Sequence, residues 1–200
     1  MERPALRCML PLILAVLTHG DGDLVVRLQK RDPDALAQLY DQYGRMVFGL
    51  ILRIVQDRAT AEDLVQETFL RVWNRAGGFD AGQGAVGPWL LAVARNRAID
   101  YLRYRSRRPE ASLELNHTEN PALFVGLQDD AARFTLVRQV KTALEKLTQQ
   151  QREAIELAYF QGLSQTEIAD KMGQPLGTVK TWMRRALQLM REELGGGVAA

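Results

Sequence analysis

The chain has 200 residues and a formal net charge of +2, with 46% hydrophobic, 25% charged and 7% aromatic residues. That is enough apolar material for one large domain or two small ones, argues against broad disorder, and suits small helical domains better than a large β-sandwich. A single cysteine, Cys8, excludes an internal disulfide and a cysteine-based zinc site, His19 and His117 form no ligand pair, and three serines without a nearby histidine argue against a Ser-His-Asp hydrolase.

The first predicted element is the apolar run Cys8–Thr18, 11 residues long. A membrane span needs about 20 residues. The following His19-Gly20-Asp21-Gly22 is not a small-residue cleavage site. The expectation is a loosely packed extra helix, or translated sequence ahead of the real start. Asp32-Pro33-Asp34 opens a helix through Tyr43, with Leu36, Leu39, Tyr40 and Tyr43 at helical spacing. A second, strongly apolar helix covers Met46 to Val55. Thr60-Ala-Glu-Asp63 reads as a capping box with Thr60 as N-cap. The helix it starts carries Leu64, Val65, Phe69, Leu70, Val72 and Trp73 and is expected to end at Gly77-Gly78. Five glycines between Gly77 and Gly87 predict a loop. Pro88 suits the first turn of the next helix, which runs to about Arg105 with Trp89, Leu90, Val93, Ala94, Ile99 and Leu102 as its apolar residues. No stretch alternates with period two, so no sheet is expected.

Charge then divides the chain. Phe79 to Pro109 holds six arginines against Asp80 and Asp100, a net +4. Glu110 to Ala131 holds five acidic residues and no basic one, a net −5. Two solvated faces of opposite sign would give this pattern, and so would a binding surface followed by a linker. Beyond it lies a second helical unit. Leu136, Val140, Leu144 and Leu147 mark one helix, Thr148-Gln-Gln-Gln151 caps the next, and Ser164-Gln-Thr-Glu167 caps a short third that ends at Gly173. Pro175 starts a last long helix to about Leu194, stopped by Gly195.

A short helix, a glycine turn and a longer basic helix have the dimensions of a helix-turn-helix. At 100° per residue from Leu176, the residues Leu176, Val179, Met183, Leu187, Met190 and Leu194 fall between about 300° and 20°. Lys180, Arg184, Gln188, Thr181, Arg185 and Thr178 fall between about 40° and 200°. One arc is core; the other could reach base edges and phosphates in a major groove. Arg184 and Arg185 could pair with guanine or simply neutralise phosphates. An ordinary solvated basic face is the alternative, made less attractive by the Ser164 cap and the Gly173 turn.

Other motifs fail on context. Gly82-Gln-Gly84-Ala-Val-Gly87 has the G-x-G-x-x-G spacing but no preceding strand, and no P-loop sequence occurs. Asp63 and Glu67 lie on one face of a surface helix, which offers no catalytic pocket; solvent, Arg71 or a basic partner protein is their expected counterpart.

Asp63-Leu-Val-Gln-Glu-Thr-Phe-Leu-Arg-Val-Trp73, the Phe79-Asp80 loop and Trp89-Leu-Leu-Ala-Val-Ala-Arg-Asn-Arg-Ala-Ile-Asp-Tyr-Leu102 closely resemble the second conserved region of bacterial sigma factors. Leu163-Ser-Gln-Thr-Glu-Ile-Ala-Asp-Lys-Met-Gly173 and Gly177-Thr-Val-Lys-Thr181 resemble their fourth region. With no third region between them, the layout resembles the extracytoplasmic-function (ECF) type over roughly Leu24 to Leu194. The resemblance implies an all-α chain of two small helical domains. Region 2 would be a helical bundle at 24–108 and region 4 a helix-turn-helix at 132–194, joined by a flexible acidic linker at 109–131. An N-terminal extension at 1–23 and a tail at 195–200 flank them.

The same resemblance implies roles. Asp63, Gln66, Glu67 and Leu70 would dock on the β′ clamp helices of core RNA polymerase, with the β flap as a further contact of the family. Asn96 and the Gly77–Gly87 loop, including Phe79, would hold an unstacked base of the −10 promoter element. Arg95, Arg97, Arg103, Arg105 and Arg107 would hold phosphates. Thr178, Lys180, Thr181, Arg184 and Arg185 would contact the −35 element. Trp89 is expected in the core rather than as a stacking platform. Gln83 and Ala85 stand where family members often carry arginine and a hydroxyl residue. Trp182, where relatives usually have a basic residue, is left open between DNA, polymerase and core.

The expectation is a cytoplasmic sigma factor with promoter DNA and core polymerase as partners and an inhibitory anti-sigma protein as a third. It would be no enzyme and would use no cofactor, metal or small-molecule substrate. A free-standing helix-turn-helix regulator is the rival, against which the Asp63–Trp73 helix speaks. A membrane-associated interaction protein, suggested by Cys8–Thr18 alone, is the other.

Overall fold

The computed structural model describes residues 22–80, 86–107 and 142–195. The expectations for Cys8–Thr18, Gln83, Ala85, Arg108, the acidic segment and the first turns of the helix before Leu147 lie outside these residues. Every regular element among them is helical, in two compact units.

The first unit contains α1 (Gly22–Gln29), α2 (Pro33–Val55), α3 (Arg58–Arg75), a 3-10 turn at Ala76–Gly78 and α4 (Val86–Ser106). The long α2 packs against both α3 and α4, which also pack on each other. Its buried residues Leu39, Tyr43, Val47 and Ile51 recur every four positions and form one stripe. Leu64 and Val72 of α3 and Leu90, Leu91, Ala94 and Ala98 of α4 close over that stripe. Each fully buried large side chain contributes about 1.5–3 kcal/mol.

The predicted break between Tyr43 and Met46 does not occur; Pro33–Val55 is one 23-residue helix. Gly44 inside it is buried. A helical glycine costs about 1 kcal/mol against alanine, less than the burial of Tyr43 and Val47 on either side returns. Asp32 caps the helix by accepting from the Asp34 N–H at 3.0 Å, with Pro33 in the first turn as expected. Gln56, at φ 56°, ends it through an N–H to the Leu52 carbonyl.

The cap of α3 is a second correction. Asp57, not Thr60, is the N-cap, and its carboxylate accepts from the Thr60 N–H at 2.8 Å. The Thr60 hydroxyl instead lies 3.3 Å from the Tyr101 hydroxyl. The expected glycine loop is also shorter than predicted. Ala76–Gly78 forms the 3-10 turn, and Val86 and Gly87 already belong to α4, both buried.

The second unit contains a helical turn at 142–145, α5 (Gln149–Phe160), α6 (Gln165–Met172) and α7 (Leu176–Gly195). Both capping boxes here form as expected. Thr148 pairs reciprocally with Gln151, and Ser164 with Glu167. The Arg152 guanidinium donates to the Leu144 and Leu147 carbonyls and closes the end of the preceding turn. Gly173 ends α6 at φ 62°, a left-handed position that favours glycine. Ala154, Leu157, Ile168, Ala169 and Val179 are the core of this unit. No helix among the described residues is long and apolar enough to cross a membrane.

Candidate nucleic-acid interface

In α4 the buried residues set one wide arc and the polar residues another. At 100° per residue from Val86, the buried Leu90, Leu91, Ala94, Ala98 and Ile99 fall between about 40° and 220°. Trp89, Asn96 and Arg103 fall between about 260° and 300°. They form one stripe along the outside of the helix, with Asn96 and Arg103 exposed, as is Arg107 in the turn just past the helix end. Arg95 is half-buried and donates to the Asn96 carboxamide oxygen at 3.3 Å. This contact orients the amide on the stripe.

Arg97 does not join them. Its Nε donates to Glu67 Oε2 of α3 at 2.5 Å, and its side chain is only 22% exposed. The family resemblance implies Arg97 on phosphates and Glu67 on a partner, with Arg71 as another mate for the acid. The fold instead pairs Arg97 and Glu67 with each other, across 30 residues of sequence.

At the head of the stripe, Phe79 packs on Trp89 with ring centroids 4.8 Å apart. Both rings are half-buried. Trp89 is therefore neither wholly core nor a bare platform; it is one half of an aromatic pair. The Phe79 carbonyl accepts from Gln29 Nε2 at 2.8 Å, and the Trp73 carbonyl accepts from Arg31 Nη1 at 2.7 Å. The Arg31 guanidinium also lies 5.4 Å from the Trp73 ring centroid. Neither Gln29 nor Arg31 was singled out from sequence, because each acts 42 or more residues away from itself.

The outer face of α3 holds Asp63, Gln66 and Leu70 within about 80–140° of Arg58. All three are exposed, and Leu70, at 58%, is among the most exposed large apolar side chains. An apolar side chain set among acid and amide groups matches the chemistry of a protein-docking face. Beside it, Tyr40, Gly44, Arg45 and Phe48 of α2 and Arg58, Glu62 and Gln66 of α3 line an open groove of about 550 Å³.

In the second unit, α6, the Gly173 turn and α7 form the helix-turn-helix. Val179, Ala186 and Met190 are buried, and Leu176, Trp182 and Met183 pack on the core or beside it. Trp182 thus extends the core. Leu187, expected on the core arc, is 54% exposed, and Ala186 takes its place. The apolar arc is centred near about 300° rather than 340°, because Trp182 widens it on one side. Lys180, Arg184 and Arg185 are exposed and have no ion-pair partner among the described residues. Thr178 is half-buried beside them. The Thr181 hydroxyl donates to the Gly177 carbonyl at 2.9 Å.

Residues 39–108 match the family model for Sigma-70 region 2, and residues 138–190 match the one for Sigma-70, region 4. The ECF RNA polymerase sigma factor SigK of Mycolicibacterium vanbaalenii is 35% identical over 190 residues, covering 93% of either chain. The chain belongs to the ECF sigma factors of RNA polymerase. A SigK from Mycobacterium tuberculosis is 34% identical over 169 residues, covering 84% of this chain and 90% of its own. Rhodobacter sphaeroides SigE, solved in complex with the anti-sigma ChrR, is 30% identical, with 85% of this chain and 95% of that one covered and a TM-score of 0.44. In this sigma factor the region 2 match takes in α3 and α4, and the region 4 match takes in α6 and most of α7. The α1 helix and the Arg31 turn lie ahead of both.

Proposed function

We propose that this sigma factor binds core RNA polymerase through the exposed face of α3, captures the −10 element along α4 and reads the −35 element with α7. The observation that carries this reading is the pairing, in one chain, of two exposed surfaces. One is the acid-and-amide face around Leu70, and the other is the exposed basic arc of Lys180, Arg184 and Arg185, which has no ion-pair partner among the described residues. A free-standing regulator needs only the second.

On this reading Asp63, Gln66 and Leu70 meet the β′ clamp helices, with Glu67 both at the edge of that face and tied to Arg97. Asn96 and Phe79 hold the unstacked base, while Arg95, Arg103 and Arg107 steady its backbone. Arg97 is a helix-to-helix ion pair first and a phosphate ligand second. Opening is driven by binding: base capture offsets an unstacking cost of a few kcal/mol. The sigma factor contributes surfaces, not a reaction of its own. Residues 24–108 and 132–194 act as two modules on one tether, 109–131. Those 23 residues can reach up to roughly 75 Å, about two turns of duplex at ~34–36 Å each. Weak contacts at two elements then reinforce each other through effective concentration. Its partners place its work in the cytoplasm. An anti-sigma protein that covers Leu70 and its neighbours would silence it by competing with polymerase.

Run-off transcription on genomic promoter fragments, with core polymerase with and without this protein, tests the reading. New start sites that depend on the protein are the expected result. Specific duplex binding without any new transcript would replace the sigma reading with that of a free-standing regulator.

A further inference from the structure

From the cross-chain hydrogen bonds of Gln29 and Arg31 we infer that the end of α1 is a positioning clamp for the −10 site, with Gln29 and Arg31 as positioning residues. This rests on the proposed role of Phe79 and Asn96. The two side chains leave one short turn and reach the two ends of the same junction. Arg31 takes the Trp73 carbonyl in the last turns of α3, and Gln29 takes the Phe79 carbonyl just past the 3-10 turn. Between those anchors the chain leaves α3 and presents the Phe79 ring to Trp89. Trp89 in turn stands on the same α4 stripe as Asn96. Fixing the Phe79 backbone therefore fixes an aromatic surface on the stripe that carries the amide, about two turns along the helix.

The backbone sets where these side chains start. Arg31 sits at φ 62°, in the left-handed region that side chains other than glycine rarely adopt. Such a conformation persists where surrounding contacts over-determine it. Here the Arg31 and Asp32 N–H groups close the end of α1 on the Leu28 and Arg27 carbonyls, and the guanidinium adds its hydrogen bond to Trp73 and its place over that ring. A glycine would turn the chain more cheaply but would have no side chain to reach the junction.

The experiment uses the full chain assembled with core polymerase and a single-stranded oligonucleotide carrying the −10 element of a promoter found by run-off transcription. Gln29→Ala and Gln29→Glu remove the donor, and the carboxylate also repels the Phe79 carbonyl. Gln29→Lys keeps a donor. One neutral exposed hydrogen bond limits the effect to about three- to tenfold. Expected is that loss of strand affinity, read well below the unfolding midpoint, for the alanine and glutamate variants, near-recovery for the lysine variant, unchanged core binding, and a fall in unfolding temperature no larger than one lost hydrogen bond gives. Arg31→Gly fits the backbone without strain, so it folds, and it should lose strand affinity to a similar degree. Strand affinities equal to wild type in Gln29→Glu and Arg31→Gly would overturn the clamp, and so would losses that merely track core binding or stability. A wild-type holoenzyme that ignores the oligonucleotide would instead remove the underlying reading.

Discussion

In the first unit, arginines close the fold: Arg97 is paired with Glu67, Arg27 with Asp32, and Arg31 with the Trp73 carbonyl. In the second, Lys180, Arg184 and Arg185 stand along α7 with no ion-pair partner among the described residues. The caps differ in the same sense. The first unit starts its long helices on the carboxylates of Asp32 and Asp57, the second on the hydroxyls of Thr148 and Ser164. The first unit thus ties several of its arginines into the fold, whereas in the second, where Lys146 and Arg152 are also held internally, the cations in the middle of α7 stay exposed. Binding by α7 should accordingly be steeply salt-dependent, since each phosphate neutralised releases counterions. Binding by the first unit should rest more on shape and on the fixed pose of a few groups.

The strongest way to separate the two is to unfold one. Ile168 is fully buried at the centre of the second core. Ile168→Ala should cost about 2–5 kcal/mol, melt α6 and α7, and leave hydrogen-exchange protection in α2 and α4 intact. Equal loss of protection in both units would show that they unfold together. Next in size is Arg185→Ala. If Arg185 reads a base, duplex affinity should fall by about 1–3 kcal/mol with relaxed preference at one −35 position. Uniform loss across promoter sequences would make it a phosphate contact.

Asp57→Ala comes third, at about 1 kcal/mol for a lost cap. Hydrogen bonds from the Thr60 hydroxyl and N–H hold the Asp57 carboxyl below its usual range, aided by Arg105. Asp32 is lowered chiefly by its hydrogen bond from Arg27. Lowered carboxyl pKa values contribute stability above the unfolded value of about 3.9, lost as pH falls through the folded values. The difference between wild type and Asp57→Ala, followed by chemical unfolding from pH 7 down to pH 3, should shrink only toward the acid end. A difference that persists undiminished in acid would assign the cap's effect to packing. The smallest effect is expected from Arg97→Ala. Its pair is partly exposed, so stability should fall by less than about 1 kcal/mol. Its loss should weaken −10 strand binding less than Arg103→Ala does. The reverse order would place Arg97 on the nucleic acid.

What could be read ahead of the structure was whatever is encoded within four or five residues. Thr148 and Ser164 were legible as caps because box and helix are contiguous. Thr60 satisfied the same pattern and failed, since Asp57 three residues earlier is a better acceptor and starts the helix sooner. The final helix shows the limit of periodicity. Spacing defined an apolar arc but not its centre, so Leu187 was placed inward where small Ala186 is buried instead. Arg97–Glu67 and Gln29–Phe79 join residues 30 and 50 apart, and no local pattern announces either. The exposed face of α3 and the basic arc of α7 were legible because each lies on a single helix.

Thr181 on α7 carries one more consequence. Its hydroxyl proton is already given to the Gly177 carbonyl, so toward a groove this side chain can only accept. A base pair opposite it would satisfy that oxygen with an exocyclic amine, which adenine and cytosine display on the major-groove edge and guanine and thymine do not. If α7 lies in the groove as proposed, this internal hydrogen bond favours an adenine or a cytosine on the strand nearer the Thr181 oxygen.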